Sequence, residues 1–212
     1  LIGEAGAGKS TIGIATMGYT RAGCRIKSGS ILFEGNELFG ADDETLRKMR
    51  GPRISYVAQS AAASFNPAQK LTHQFVETAV REGVMSFAEA EGRAKELFRR
   101  LDLPDPDKIG ERYPHQVSGG QLQRCMVAMA MACNPDLIVF DEPTTALDVT
   151  TQIEVLGAIK EVIEAYGTAA IYISHDLAVV AQIADRIMVL RHGLEVETGE
   201  IKIEKYVEVH DA

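Results

Sequence analysis

The segment GEAGAGKST, residues 3–11, constrains this chain more than any other part of its sequence. It matches the pattern G-x-x-x-x-G-K-[ST], a phosphate-binding loop that leads from a strand into a helix. Its glycines allow backbone N–H groups to turn toward an anion, and the start of the following helix attracts negative charge. A glycine-rich turn that carries a lysine by chance is the alternative, which so complete a match disfavours. The residues predicted to bind phosphate groups are Gly3, Glu4, Ala5, Gly6, Ala7, Gly8, Lys9, Ser10 and Thr11.

Four side chains, two in the loop and two at the end of a predicted strand, indicate that the chain catalyses a reaction of a phosphate compound. In the loop, Lys9 is expected near the β- and γ-phosphates, and the Ser10 hydroxyl is expected to ligate Mg²⁺. Asp141 and Glu142 follow an apolar strand at residues 137–140, and α/β folds bind ligands at such strand ends. Asp141 can hold Mg²⁺, directly or through water, and Glu142 can accept a proton from an attacking water. A strand that ends in a solvated acidic turn is the alternative, and the phosphate-binding loop disfavours it.

The rest of the pattern is that of an α/β protein. Apolar strands alternate with amphipathic helices, which predicts a parallel sheet covered on both faces. The helix at residues 151–166 is expected to carry Ile153, Leu156, Ile159 and Ile163 on its buried face and to end at Gly167. The strands are predicted at residues 53–58, 137–140, 169–174 and 186–190. The other helices are predicted at residues 121–132 and 177–184, and from the phosphate-binding loop to about residues 17–20.

Two regions depart from this alternation. A short strand and turn at residues 31–36 indicate a partial antiparallel β-subdomain. Ser86 and Glu89 form a capping box, S-x-x-E, that begins an amphipathic helix extending to about residue 101. We therefore predict an α/β core at residues 1–59 and 114–200, an inserted helical subdomain at residues 60–113 and a C-terminal tail at residues 201–212.

Charge and hydropathy limit the partners. The net charge of −8 argues against nucleic acid, because no basic field attracts its phosphate backbone. No apolar run reaches the roughly 18 residues needed to cross a bilayer, so we expect a soluble chain that could dock onto a membrane partner. The sequence starts at Leu1, directly before the loop, and we expect it to be clipped at its N-terminus.

A second glycine-rich turn, VSGGQ at residues 117–121, stands at the start of a predicted helix. The hydroxyl of Ser118 and the free N–H groups of the turn suit another phosphate. Because one nucleotide does not need two phosphate sites, this turn is expected to serve the nucleotide of a neighbouring molecule.

Over essentially its whole length, the chain resembles the nucleotide-binding subunit of ATP-binding cassette (ABC) transporters. The similar motifs are, in chain order, Walker A (residues 3–10), the Q-loop Gln59, the signature motif (residues 117–121, with Val117 where the family has leucine), Walker B (residues 137–142), the D-loop (residues 146–148) and the switch histidine His175.

The resemblance implies a P-loop NTPase (RecA-like) core and two subunits that meet head to tail. Each ATP, with Mg²⁺, then lies between one Walker A loop and the partner's signature turn. Glu142 is implied to polarise water, His175 to contact the γ-phosphate and Gln59 to link Mg²⁺ and water to a transmembrane partner. The implied Mg²⁺ ligands are Ser10, Gln59 and Asp141, and the implied ATP contacts across the dimer are Ser118, Gly119, Gly120, Gln121 and Asp148.

Further segments look like the oligopeptide, dipeptide and nickel importer group: SFNP at residues 64–67, RYPH at 112–115, QLQR at 121–124 and DEPTTALDVT at 141–150. The resemblance implies an importer of peptides or a related small solute. It also implies a peripheral ATPase subunit on the cytoplasmic face of the cell membrane, bound to permease subunits.

Two other interpretations stay open. The family usually has strands before Walker A, including an aromatic residue that stacks on adenine. Tyr19 and Tyr56 are poor substitutes for this residue, because each falls within a predicted element elsewhere. ATP affinity is therefore expected to be reduced roughly ten- to hundredfold, and the chain could be a fragment without turnover. A soluble ABC-type ATPase of DNA repair or translation is the other interpretation. The short spacing between Gln59 and Val117 disfavours the repair class, which inserts a long coiled coil there.

Overall fold

A computed structural model describes residues 1–145 and 147–201 of the chain. The strands are β1 (Ile2–Gly3), β2 (Leu32–Phe33), β3 (Asn36–Glu37), β4 (Ile54–Val57), β5 (Leu137–Asp141), β6 (Ala169–Ile173), β7 (Arg186–Arg191) and β8 (Leu194–Glu200). The helices are α1 (Lys9–Ala15), α2 (Asp43–Met49), α3 (Ala61–Ser64), α4 (Leu71–Arg81), α5 (Phe87–Arg100), α6 (Gly119–Ala130), α7 (Val149–Tyr166) and α8 (Leu177–Ile183), with 3₁₀ turns at Ile109–Glu111 and Pro114–Gln116.

Parallel pairing dominates the strands that carry the site. Strands β4, β5 and β6 pair in parallel in that order, and β1 pairs in parallel with β7, whose other edge takes β8 antiparallel. A bridge between Ile2 and Ser174 joins the two groups. The predicted α/β class with a parallel sheet is therefore confirmed. Strands β2 and β3 form the separate antiparallel hairpin expected near residues 31–36.

Strand β5 separates two packed layers. Ile138 and Phe140 are fully buried in the main hydrophobic cluster, on the opposite face of the strand from Val139. Val139 faces α1, because a Cβ on Gly13 of that helix would come within 3.2 Å of its side chain. The same Cβ would come within 2.5 Å of Ile173 on β6, so a glycine at this position allows α1 to lie close to the sheet.

The helices between Gln59 and the second glycine-rich turn pack against the face of β5 that carries Ile138 and Phe140. The predicted capping box of α5 is present, with Ser86 and Glu89 each accepting the backbone N–H of the other. The apolar stripe of α5 joins the same buried cluster as β5, so these helices rest directly on the core. The division into residues 1–59, 60–113 and 114–200 stays a prediction, and residues 202–212 of the predicted tail lie outside the described residues.

Some predicted details were wrong. Helix α1 ends at Ala15, where residues 17–20 were expected, and the chain then turns through Gly18 in the left-handed region. Ile153 of α7 is exposed, whereas Leu156 and Ile159 are buried. The buried stripe is centred on Ile159, and Ile153 lies roughly 120° around the helix from it.

Among the helices of the described residues, none has the length and apolar character that a membrane crossing requires.

Candidate functional site

The phosphate-binding loop runs from β1 into α1, as its sequence pattern predicts. Gly8, the last residue before α1, has a φ of 97°, which favours glycine. The buried Lys9 donates through Nζ to the backbone oxygens of Gly3, at 2.8 Å, and Glu4, at 3.1 Å. Its Nζ also lies 3.7 Å from Oε1 of Glu142. One buried cation therefore connects the loop to the end of β5.

Asp141, the last residue of β5, is held from two sides. The Ser10 hydroxyl of α1 donates to its Oδ1 at 2.8 Å, and the Tyr56 hydroxyl of β4 donates to its Oδ2 at 2.6 Å. Burial raises the pKa of Tyr56, and the hydrogen bond to Asp141 raises it further, so the phenol keeps its proton. The sequence analysis did not assign Tyr56 to this site.

Glu142 brings the predicted catalytic residues together. Its Oε2 accepts hydrogen bonds from Gln59 Nε2 at 3.3 Å and from the Thr145 hydroxyl at 3.2 Å, and it lies 3.4 Å from His175 Nδ1. Its backbone has a φ of 49°, an uncommon left-handed conformation for glutamate and one that recurs at functional sites. The sequence analysis missed Thr145.

An open cavity of about 650 Å³ lies between the loop and these side chains. Glu142 and His175 line it, and a volume of this size is typical of small-molecule sites. The remaining lining residues are Ile2, Gly3, Glu4 and Ala5.

Ser10 and Asp141 suit a magnesium ion. Both offer hard oxygen atoms, the donors that Mg²⁺ prefers, and they are within hydrogen-bonding distance of each other. Within residues 1–145 and 147–201, no cluster of three or more His, Cys, Asp or Glu side chains could hold a metal. Mg²⁺ does not require such a cluster, because it commonly binds through one or two protein oxygens together with phosphate and water. The side-chain amide of Gln59 contacts Glu142, so its predicted role as a Mg²⁺ ligand stays a prediction.

The remaining predicted residues form a second group away from this cavity. Ser118 caps α6, in a capping box with Gln121, and Ser118 and Gly119 are exposed. The turn adjoins the start of α7, because a Cβ on Gly120 would lie 2.4 Å from Cγ2 of Thr151. Asp148 caps α7 by accepting the Thr151 N–H, and this hydrogen bond lowers its pKa. Ala146, the first residue of the predicted D-loop, lies outside the described residues.

Comparison with known proteins gives one family and several relatives. The model of the family described as "ABC transporter" matches residues 1–145. The chain is 39% identical over 208 residues to the oligopeptide transport ATP-binding protein OppD of Bacillus subtilis (strain 168), covering 95% of this chain and 56% of that protein. It is 38% identical over 200 residues to the probable D,D-dipeptide transport ATP-binding protein DdpD of Escherichia coli (strain K12), covering 94% of this chain and 61% of that protein. The chain therefore spans less than two thirds of the length of these relatives.

A solved structure with the same fold is the dimeric post-hydrolysis state of the ATP-binding cassette MJ0796, bound to ADP and Pi. The two chains superpose with a TM-score of 0.80 at 27% identity, over 95% of this chain and 84% of that one. The predicted cassette fold is thereby confirmed.

Proposed function

This chain belongs to the ABC transporter family, and we propose that it is the subunit that binds ATP with Mg²⁺ and hydrolyses it to ADP and phosphate to power an importer. The observation that carries the proposal is the convergence on one cavity of the Lys9 loop with Glu142 and His175. Asp141 and Ser10 meet beside them, at the point where a phosphate-bound cation is expected.

The chain's own residues account for phosphoryl transfer to water by positioning and charge. Lys9 and the loop N–H groups hold the phosphates, and Glu142 takes a proton from the attacking water. His175 and Gln59, which both contact the Glu142 carboxylate, orient the γ-phosphate and the water. A bound Mg²⁺, held by Ser10 and Asp141, would supply neutralisation of the phosphate charge.

The second group of residues is proposed to act on a partner's nucleotide. The turn at Ser118, Gly119 and Gly120, whose first two residues are exposed, does not line the cavity of its own chain, and neither do Gln121 and Asp148. Exposed apolar side chains beside it, Val149 and Ile153, offer surface for a second ATP-binding subunit. MJ0796 was solved as a dimer, which supports this arrangement. The second subunit would be either another copy of this chain or a different ATP-binding subunit.

The cargo is proposed to be a peptide or a related small solute, because the relatives are named for oligopeptide and D,D-dipeptide transport. The subunit would then work with transmembrane permease subunits at the cytoplasmic face of the cell membrane. No observation favours the DNA-repair alternative. The longest helix between Gln59 and Val117, α5, has 14 residues, which is too short for a long coiled coil.

Glu142→Gln tests the proposal. The amide keeps the shape of the side chain but cannot accept the proton, so we expect ATP turnover to fall by roughly 10²–10⁴-fold while ATP binding persists. Phosphate release and ATP affinity are measured for this variant and for Glu161→Gln, which changes an exposed glutamate of α7. Equal hydrolysis by the parent chain and Glu142→Gln would sink the assignment.

A further inference from the structure

The carboxylate of Asp141 has a second partner that the sequence motifs do not include. Within residues 1–145 and 147–201, its side chain accepts two hydrogen bonds, one from Ser10 and one from Tyr56. The residue is 5% exposed, so both bonds are shielded from water. The two donors reach different oxygen atoms, which fixes the rotation of the carboxylate plane.

Strand register explains how Tyr56 reaches Asp141. Tyr56 pairs with Val139 in the parallel ladder of β4 and β5, and paired side chains point to the same face. Asp141 is two positions beyond Val139 on that face, roughly 6.6 Å along the strand. The phenol ring spans this offset and places its hydroxyl 2.6 Å from Oδ2. A serine at this position would be too short, and a phenylalanine would have no donor.

Resting on the proposed function, we propose that Tyr56 is a positioning residue for the Mg²⁺ site, acting through the carboxylate of Asp141. Ser10 and Asp141 are both expected Mg²⁺ ligands, and a hydrogen bond joins their side chains. The bond from Tyr56 comes from outside the ligand pair, and it orients Asp141 whether or not the ion is bound. Hydrogen bonds to metal ligands typically change metal affinity or activity by roughly 10–100-fold.

The experiment separates nucleotide binding from the contribution of the metal. ATP affinity is measured by calorimetry in excess EDTA and in excess Mg²⁺, with every chain carrying Glu142→Gln to prevent turnover. Tyr56→Phe removes only the hydroxyl. In EDTA we expect its affinity to match the parent, because Lys9 and the loop hold the phosphates. In Mg²⁺ we expect it to bind ATP at least about tenfold more weakly than the parent.

Tyr166→Phe is the matched control. The Tyr166 hydroxyl also donates to a carboxylate, that of Glu96, at 2.7 Å, but on α7 and α5, away from the cavity. Its loss should leave both affinities unchanged. Tyr56→Met, which also lacks the donor, replaces Tyr56→Phe if the latter does not fold.

The outcomes distinguish this inference from the proposed function. A parent chain that binds no ATP in either buffer contradicts the proposed function. A parent with a Mg²⁺-dependent gain in affinity that is equal in Tyr56→Phe overturns the role of Tyr56 alone. A Mg²⁺-dependent gain that shrinks in Tyr56→Phe and not in Tyr166→Phe establishes it.

Discussion

At the scale of single residues, Lys9 is the side chain expected to bind the phosphate groups of ATP. It is a buried cation whose contacts are two backbone oxygens and the carboxylate of Glu142. Charge-assisted hydrogen bonds are each worth about 1.5–3 kcal/mol, so Lys9→Ala should weaken ATP binding roughly ten- to hundredfold. Calorimetry on Lys9→Ala and on Lys160→Ala, an exposed lysine of α7, checks this. Equal losses in the two variants would contradict a specific role for Lys9.

Some residues of the site could be predicted from the sequence and others could not, and the difference is whether nearby or distant residues fix their position. Lys9, Ser10, Asp141 and Glu142 could be predicted, because a loop or a strand end fixes the position of each within a few residues. Tyr56 could not, because its role depends on the register between β4 and β5, which are far apart in the sequence. Its place on β4, three residues before Gln59, was the available signal, but only the pairing Tyr56–Val139 gives that spacing a meaning.

At the scale of elements, the starts of α6 and α7 are fitted to each other. A Cβ on Gly120 would lie 2.4 Å from Cγ2 of Thr151, a β-branched side chain with little rotamer freedom. The backbone N–H of Thr151 donates to Oδ1 of Asp148 at 3.0 Å, which also holds the first turn of α7 in place. Gly120→Ala should therefore lower the free energy of unfolding by roughly 1–3 kcal/mol, measured by urea denaturation.

The rescue of that variant is equally specific. Thr151→Ser removes the clashing methyl group and keeps the hydroxyl, so the double variant Gly120→Ala, Thr151→Ser should recover most of the lost stability. The control is Gly157→Ala on α7, where an added Cβ has no neighbour within 4 Å among the described residues, so this variant should not be destabilised. A double variant no more stable than Gly120→Ala alone would show that the methyl contact is not the cause.

Helices α5 and α7 are joined by a group of side chains that should respond to pH. The Tyr166 hydroxyl donates to Glu96 and accepts from Arg93, at 2.7 and 2.8 Å. The hydrogen bond from Tyr166, followed by those from arginines, holds the pKa of Glu96 below its ordinary value. A lowered pKa in the folded state adds stability above the ordinary glutamate pKa of about 4.3, and this is lost as the pH falls through the folded value.

The stability difference between the parent chain and Tyr166→Phe should therefore be largest near neutral pH and should narrow below about pH 4.3. Urea denaturation of both chains across this range measures it. A difference that stays constant with pH would mean that the ionisation of Glu96 is not coupled to Tyr166.

At the scale of the whole molecule, the order of strands and helices could be predicted because hydrophobic periodicity records which faces are buried. The apolar run at residues 137–140 became β5 with only its boundary shifted. The exposed Ile153 shows the limit of this reasoning: periodicity allowed it to join the buried face, and the packing of α7 against its neighbours placed it in solvent. The separation of the signature turn from the cavity likewise depends on how the helices and strands pack, so the motif itself does not give it.

That separation predicts assembly. Ser118, Gly119 and Gly120 do not line the cavity of their own chain, and under the proposed function they complete the site of a second subunit. Because Glu142→Gln is expected to bind ATP without turnover, we expect its solution mass to double on addition of Mg-ATP. The double variant Lys9→Ala, Glu142→Gln is expected to remain monomeric. Light scattering after size-exclusion chromatography measures both.

Gly119→Asp separates assembly from nucleotide binding. Gly119 is the exposed first residue of α6, where aspartate favours the helix. Among the described residues, an added Cβ approaches nothing closer than Leu147 at 3.8 Å. The chain should therefore fold and bind ATP as before. Its new carboxylate would face the partner's phosphates, so the double variant Gly119→Asp, Glu142→Gln should remain monomeric in Mg-ATP. A dimer that persists in this variant would place the signature turn outside the interface and remove the basis for a shared site.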